Sequence, residues 1–428
     1  MLFSGCRMKI GRAGPLVVSV AAVILIATAA IGTAAPVLTL DEVIGRALDF
    51  APSVASAAAA SDFSRARVGE ARAPLYPLVS SDIEYQQTPG YDTVVTNGGM
   101  TDATINLTYT AVDFGRRLAL ARAAAFESAA ATYGVRAARA QIVFDATTAY
   151  FDLMRSREQI VEYQKSFDRM DRYVVVIEHL DYTGKAITND VLKIRSARDS
   201  AELNLSAARR TAQQAAIVLG SLIGNFDPDN LDIEPVMGLP PMPTGNLAAN
   251  PTLRADQRGI DSATLGIKAA EAERYPNFNV TLSTGFLGVN PPRTFNRNFG
   301  ASYDGAIDVP IFQGGLIRAH IDEARAQQLT AQAQYKQDSV MLTQRLEDAA
   351  SRYRQAQDQL AILARSQPTA DDAFALYWTR FLGGGSVTVL EVLDAFEQAE
   401  SFRIAAADQR FAVRQAAADI ALLYGASR

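Results

Sequence analysis

A chain of 428 residues with 49% hydrophobic and 20% charged residues is too apolar for a disordered protein, and its mean hydropathy of +0.02 is too low for a bundle of membrane-spanning helices. Its 41 Lys and Arg against 46 Asp and Glu give a formal charge of -5, so no basic field is available to hold nucleic acid. Two histidines, His179 and His320, and one cysteine, Cys6, all but exclude a His/Cys metal site, a thiol nucleophile and a disulfide framework, and no cofactor is expected.

The chain opens like an export signal. Arg7, Lys9 and Arg12 precede an uncharged stretch over 15–31, and Gly32-Thr33-Ala34-Ala35 supplies small residues for cleavage, so residues 1–35 are read as a signal peptide. A retained anchor would need about 20 apolar residues and usually lacks that small-residue exit. Loss of the three basic residues takes the formal charge from -5 to -8, and loss of Cys6 leaves a chain without a thiol, suited to an oxidising periplasm. No Cys follows the apolar run to receive a lipid.

The remainder reads as two copies of one plan. Ala51-Pro52-Ser53 recurs as Asn250-Pro251-Thr252, Tyr76-Pro77 as Tyr275-Pro276, Phe114-Gly115 as Phe312-Gln313-Gly314, and Asp190-Val191-Leu192 as Thr388-Val389-Leu390, at an offset of 198 or 199. Repeats over 36–226 and 251–428 are therefore expected, joined by a linker over 227–250 that carries Pro228, Pro235, Pro240, Pro241 and Pro243.

Each copy is expected to run short helix, two strands, two long helices. Strands are expected over about 77–88, 101–113, 277–288 and 299–311, where apolar and polar residues alternate. Val79, Ser81, Ile83 and Tyr85 alternate with Ser80, Asp82, Glu84 and Gln86; Phe299, Ala301, Tyr303, Ile307 and Val309 alternate with Gly300, Ser302, Asp304 and Asp308. Period-two segments of about ten residues fit tilted transmembrane strands, although an ordinary sheet with one wet face has the same pattern. Asn97-Gly98-Gly99 and Asn290-Pro291-Pro292 mark the hairpin loops. Ala-, Arg-, Gln- and Glu-rich runs follow over about 116–181 and 316–380, with Gly134 and Pro368 as the only breakers. Helices of that length would reach about 100 Å, and with partners over about 187–224 and 387–425 they read as coiled-coil hairpins.

Four strands cannot close a membrane barrel, so a spanning chain must oligomerise. Two chains would give a barrel filled by its own side chains, whereas three would leave a water-filled passage. Asp308-Val309-Pro310-Ile311-Phe312-Gln313-Gly314-Gly315, Ala73-Pro74-Leu75-Tyr76-Pro77 and Val389-Leu390-Glu391-Val392-Leu393-Asp394-Ala395 resemble the TolC-like outer-membrane efflux family, over essentially the whole chain after the signal. The resemblance implies an α+β membrane protein: a homotrimer with a twelve-stranded barrel in outer-membrane lipid, four strands per chain, continued by an α-helical periplasmic tunnel. It further implies a passive exit duct of a tripartite efflux or type I secretion system, docked on a periplasmic adaptor and an inner-membrane RND or ABC pump.

The resemblance also places the gate where the long helices turn, at Tyr182-Thr183-Gly184-Lys185-Ala186 and Phe381-Leu382-Gly383-Gly384-Gly385-Ser386. Gly184, Lys185, Gly383, Gly384 and Gly385 are then tip-turn and adaptor-docking residues. Glu391 and Asp394 match the acidic positions around the family's aperture, and their i, i+3 spacing sets them on one helix face. Asp190 matches the tip acid that helps hold the closed state, while Val387 and Leu382 stand where some members carry latch residues. At the 198-residue offset the counterparts of Glu391 and Asp394 are Lys193 and Ser196, which confines the acidic pair to one tip.

Catalytic signatures are missing. Gly383-Gly384-Gly385-Ser386 lacks the Gly-Lys-Ser/Thr ending of a phosphate loop, Ser386 is not in a nucleophile elbow, and the adjacent Asp371 and Asp372 point to different helix faces. No enzyme is expected. The alternative, a periplasmic adaptor or structural coiled-coil protein without its own pore, leaves the two alternating strand pairs without a role.

Overall fold

A computed structural model describes residues 37–92, 99–225, 227, 231–289 and 299–425. The expected signal peptide, Asn97-Gly98, Asn290-Pro291-Pro292 and Pro228 lie outside the described residues. In chain order the elements are α1 (Leu40–Phe50), α2 (Pro52–Arg72), β1 (Leu78–Gln87), β2 (Gly99–Val112), α3 (Arg116–Tyr182), α4 (Thr188–Ile223), α5 (Pro251–Ala272), β3 (Asn277–Val289), β4 (Phe299–Asp308), α6 (Leu316–Leu382) and α7 (Val389–Leu423). The first copy carries two helices ahead of its strands where one was expected. Pro52 disfavours helical backbone at Ala51, which is extended at φ -63° and ψ 111°, and restarts the chain as the first residue of α2.

The four strands form one antiparallel sheet in the order β1-β2-β3-β4, so β2 against β3 joins the two copies. Register sorts the side chains by face. Val79, Leu107, Leu282 and Tyr303 share one cross-strand row, and Ile83, Ala103, Phe286 and Phe299 share another. On the opposite face Ser80, Asn106, Ser283 and Ser302 share a row, and Asn279 links Thr110 and Asp308 by bonds of 2.8 and 3.0 Å. A bulge between Thr110 and Val112 adds twist at the helix end of β2. Every residue of β1 and β4 is exposed within the single chain, and neither strand has a partner on its outer edge among the described residues.

Each strand pair hands over to a helix of 67 residues, about 100 Å long. The Asp113 and Gln313 carbonyls accept from the amides of Arg116 and Leu316, both at 3.1 Å, and the two residues between are left-handed in each copy. Phe114 and Gly115 have φ 53° and 88°; Gly314 and Gly315 have φ 59° and 89°. The structural mate of Phe114 is therefore Gly314, an offset of 200 that corrects the Phe312 alignment. Holding Phe114 there costs about 1–2 kcal/mol, offset by its stacking on Tyr275 at 4.9 Å. Burial raises the Asp113 pKa, but hydrogen bonds from the Arg117 amide and guanidinium and the Gly115 amide outweigh it, and the carboxyl ends below its ordinary value.

The hairpins pack with coiled-coil periodicity. On α4 the buried Val191, Ile194, Ala201, Leu205, Ala208, Ala212, Ala215 and Leu219 follow three-and-four steps, and the alanines let the helices approach closely. The seam of α7 continues as Val389, Val392, Phe396, Ala399, Ala406, Val413, Ala417 and Ile420, with Arg403 and Arg410 at two intervening steps. Those cations are matched: Arg403 pairs with Asp371 of α6 at 2.6 Å, and Arg410 pairs with Glu158 of α3.

The Pro-rich segment is packed rather than loose. Leu38 forms a parallel bridge with Ile233, and carbonyls along the segment accept from side chains of the long helices. Tyr150 of α3 donates to Glu234, Tyr353 of α6 to Pro240 at 2.8 Å, and Arg414 of α7 to Val236 and Gly238. Side-chain donors thus satisfy a stretch whose prolines cannot donate to a ladder.

Candidate functional site at the helical tips

Both long helices end in the same way. The amides of Gly184 and Lys185 donate to Asp181 and Leu180, and those of Gly384 and Gly385 donate to Phe381 and Arg380. Each is a Schellman turn, whose left-handed residue is Gly184 at φ 72° or Gly384 at φ 74°. Gly383 lies at φ -76°, so it needs no glycine backbone. A Cβ on Gly385 would sit 3.0 Å from the Arg380 carbonyl oxygen, whereas around Gly184 and Gly384 the space is open. Lys185 is exposed on the first turn.

The return helices differ. Five residues separate α3 from α4 and six separate α6 from α7, which moves the repeat offset to 201. Asp190 and Glu391 therefore both stand three residues after their N-caps, Ile187 and Thr388. This corrects the Lys193 alignment: the mate of Glu391 is Asp190, and the mate of Asp394 is Lys193. Around Thr388 a complete capping box forms. Its amide and hydroxyl donate to Glu391 Oε2 at 2.7 and 3.0 Å, and the Glu391 amide donates back to the hydroxyl at 3.3 Å. These bonds hold the Glu391 carboxyl below its ordinary pKa. Ile187 offers no side-chain cap, and the half-buried Asp190 carboxylate makes no hydrogen bond or ion pair among the described residues. Asp394 is exposed one turn beyond Glu391.

A single apolar cluster joins the two tips. Met170, Val174 and Ile177 of α3, Val191 and Ile194 of α4, Phe374 of α6, and Val392 and Phe396 of α7 are buried together. Tyr173 stacks on Trp378 at 3.8 Å, and Arg169 lies over the Phe374 ring at 5.5 Å. These cross-hairpin contacts were not anticipated from sequence. The Thr388 cap was also missed, although Thr-x-x-Glu before an apolar run is its signature. Tyr182, Ile187, Leu192, Leu382 and Leu390 remain exposed around the turns.

A two-faced sheet leading into paired helical hairpins is the architecture of an outer-membrane channel subunit, and the comparisons agree. The outer membrane efflux protein model matches residues 43–225 and 244–426, and the chain belongs to that family. Family membership gives it an outer-membrane location with a periplasmic extension. It is 24% identical to outer membrane protein TolC of Escherichia coli strain K12 over 295 residues, which is 64% of this chain and 59% of TolC. The chain thus spans less than two thirds of the length of the curated relatives it matches. Its fold is that of CusC, with a TM-score of 0.83 at 18% identity over 90% of this chain and 91% of that one. VceC of Vibrio cholerae shares it too, with a TM-score of 0.82 at 21% identity over 91% of this chain and 97% of that one.

Proposed function

We propose that the chain assembles as a homotrimer and serves as the passive outer-membrane exit duct of a tripartite efflux or type I secretion system. The observation that carries this reading is the open, two-faced sheet. Apolar rows on one face suit lipid, polar rows on the other suit water, and unpaired edges at β1 and β4 cannot stay open in a bilayer. Three copies close twelve strands around a passage, and the hairpins continue it as a tunnel. The structures of CusC, which concern conformational changes accompanying folding and transmembrane channel formation in that protein, support the reading. An export signal over 1–35 would deliver the chain.

At the tips, Glu391 and Asp394 from three chains form an acidic ring, and Asp190 makes a closed-state contact to another chain. Gly184, Lys185, Gly383, Gly384 and Gly385, with the exposed apolar residues beside them, receive a periplasmic adaptor coupled to an inner-membrane RND or ABC pump. Conductance of the purified protein in planar bilayers tests the proposal. A heat-sensitive trimer should conduct, E391A with D394A should lower cation selectivity and block by trivalent cations, and Asp190→Ala should raise basal conductance. A monomer that leaves bilayers non-conducting would refute the duct; unchanged selectivity in the double variant would refute the ring alone.

A further inference from the structure

A cavity of about 550 Å³ lies between α3, α7 and the Pro-rich segment, away from both the sheet and the tips. Met154, Val161, Ile233 and Val236 give it apolar walls, and three arginines, Arg157, Arg410 and Arg414, line it with one acid, Glu158. Two of the cations are matched within the chain, Arg157 by Asp232 at 2.7 Å and Arg410 by Glu158. Arg414 is not. It is 6% exposed, lies over the Phe151 ring at 5.5 Å, and donates to the Val236 and Gly238 carbonyls at 3.0 and 3.1 Å. No carboxylate contacts it among the described residues, and its Nε–H has no acceptor there. Burial, with Arg410 adding and Glu158 opposing, lowers its pKa, the mark of a charge poorly compensated by its surroundings.

A buried cation without a counter-charge is costly, and an anion beside it removes that cost. The volume falls in the range of small-molecule sites, which join apolar walls to a few fixed polar groups. We propose that this cavity binds a single-chain anionic amphiphile of fatty-acid size, its carboxylate head on Arg414 and its chain along Met154, Val161 and Ile233. The net positive lining selects the anion, and the apolar walls select the tail. Glu158 works against the head, so its removal should tighten binding.

The test uses the assembled protein in nanodiscs of zwitterionic phosphatidylcholine, with decanoate, decanol and acetate titrated calorimetrically against empty discs. Decanoate should bind saturably at one per chain, and decanol and acetate about tenfold more weakly or worse. Val161→Trp fills the cavity from the half-exposed face of α3 and leaves every arginine of the lining in place, and it should abolish binding. Glu158→Gln should strengthen it severalfold, and Arg414→Met should erase the preference for decanoate over decanol. Decanol binding as well as decanoate, decanoate binding unaffected by Val161→Trp, or no saturable binding beyond that of empty discs would each overturn the proposal. Occupation of the cavity by a carboxylate of a neighbouring copy would give the last of these outcomes. Lysophosphatidic acid as a fourth probe separates the sources: tighter binding than decanoate identifies a lipid phosphate head, weaker binding a free fatty carboxylate.

Discussion

The two helical tips descend from one plan and have diverged at the residue that starts the return helix. The first turn reverses in five residues and leaves α4 uncapped behind Ile187; the second takes six and closes α7 with the Thr388–Glu391 box. As a result the equivalent acids, Asp190 and Glu391, have different local employment. The Asp190 carboxylate has no partner among the described residues, while that of Glu391 accepts two bonds from its own N-cap. The Asp190 carboxylate is left available for the closed-state contact proposed above, whereas the bound carboxylate of Glu391 keeps its charge where the backbone puts it. The comparison holds only if the two turns otherwise rest on one shared core.

Truncation of that core should have the largest effect. Phe396 is 4% exposed and meets Phe374 at 5.5 Å, and Ile194 is 1% exposed. Replacing either by Ala should cost about 2–5 kcal/mol. Because residues of both hairpins share the cluster, each variant should speed tryptic cleavage at both tips, after Lys185 and after Arg380. Cleavage confined to the hairpin that carries the substitution would mean that the tips are energetically separate. The turn glycines come next. Gly184→Ala and Gly384→Ala should each cost about 1–2 kcal/mol for a left-handed alanine, whereas Gly383→Ala, at φ -76°, should change the melting temperature little.

Much of this was legible in the sequence, and the errors have physical causes. Alternation through Val79, Ile83 and Tyr303 already separates a lipid-compatible face from a wet one, and register then aligns those rows across four strands. Repeat matching failed where loops change length. Asp190-Val191-Leu192 resembles Thr388-Val389-Leu390 residue by residue, yet the extra residue in the second turn makes Asp190 the mate of Glu391. Resemblance to an acidic aperture drew attention to the charge of Glu391 and away from its place in Thr-x-x-Glu. The stacking of Tyr173 on Trp378 depends on how the two hairpins lie side by side, which no local pattern encodes. Prolines marked the 227–250 segment as a seam, but the tyrosine and arginine donors that pack it come from helices far away in the chain.

Exchange of the caps would sharpen the comparison. Thr388→Ala removes the side-chain acceptor of the Glu391 amide and should cost about 1 kcal/mol, while Ile187→Thr should add a cap to α4 and gain up to about the same. Hydrogen exchange at the first turns of α7 and α4 reads the two changes separately. Equal protection in wild type and Thr388→Ala would mean that the box contributes nothing.

The smallest effect follows from acid. Hydrogen bonds from the Thr388 amide and hydroxyl hold the folded pKa of Glu391 below its ordinary value of 4.5. A depressed acid adds stability that is fully present above the unfolded pKa and is lost as pH falls through the folded one. Between pH 6 and pH 3 the first turn of α7 should therefore lose protection, after correction for the intrinsic exchange rate, as the carboxylate takes up a proton and weakens as an acceptor. Glu391→Gln has no titrating group and should flatten that dependence. The uncapped first turn of α4 lacks a comparable device, so any loss it shares with α7 over this range reports general acid loosening and must be subtracted. If the wild-type and Glu391→Gln profiles coincide after that subtraction, the box does not carry the acid response of the second tip.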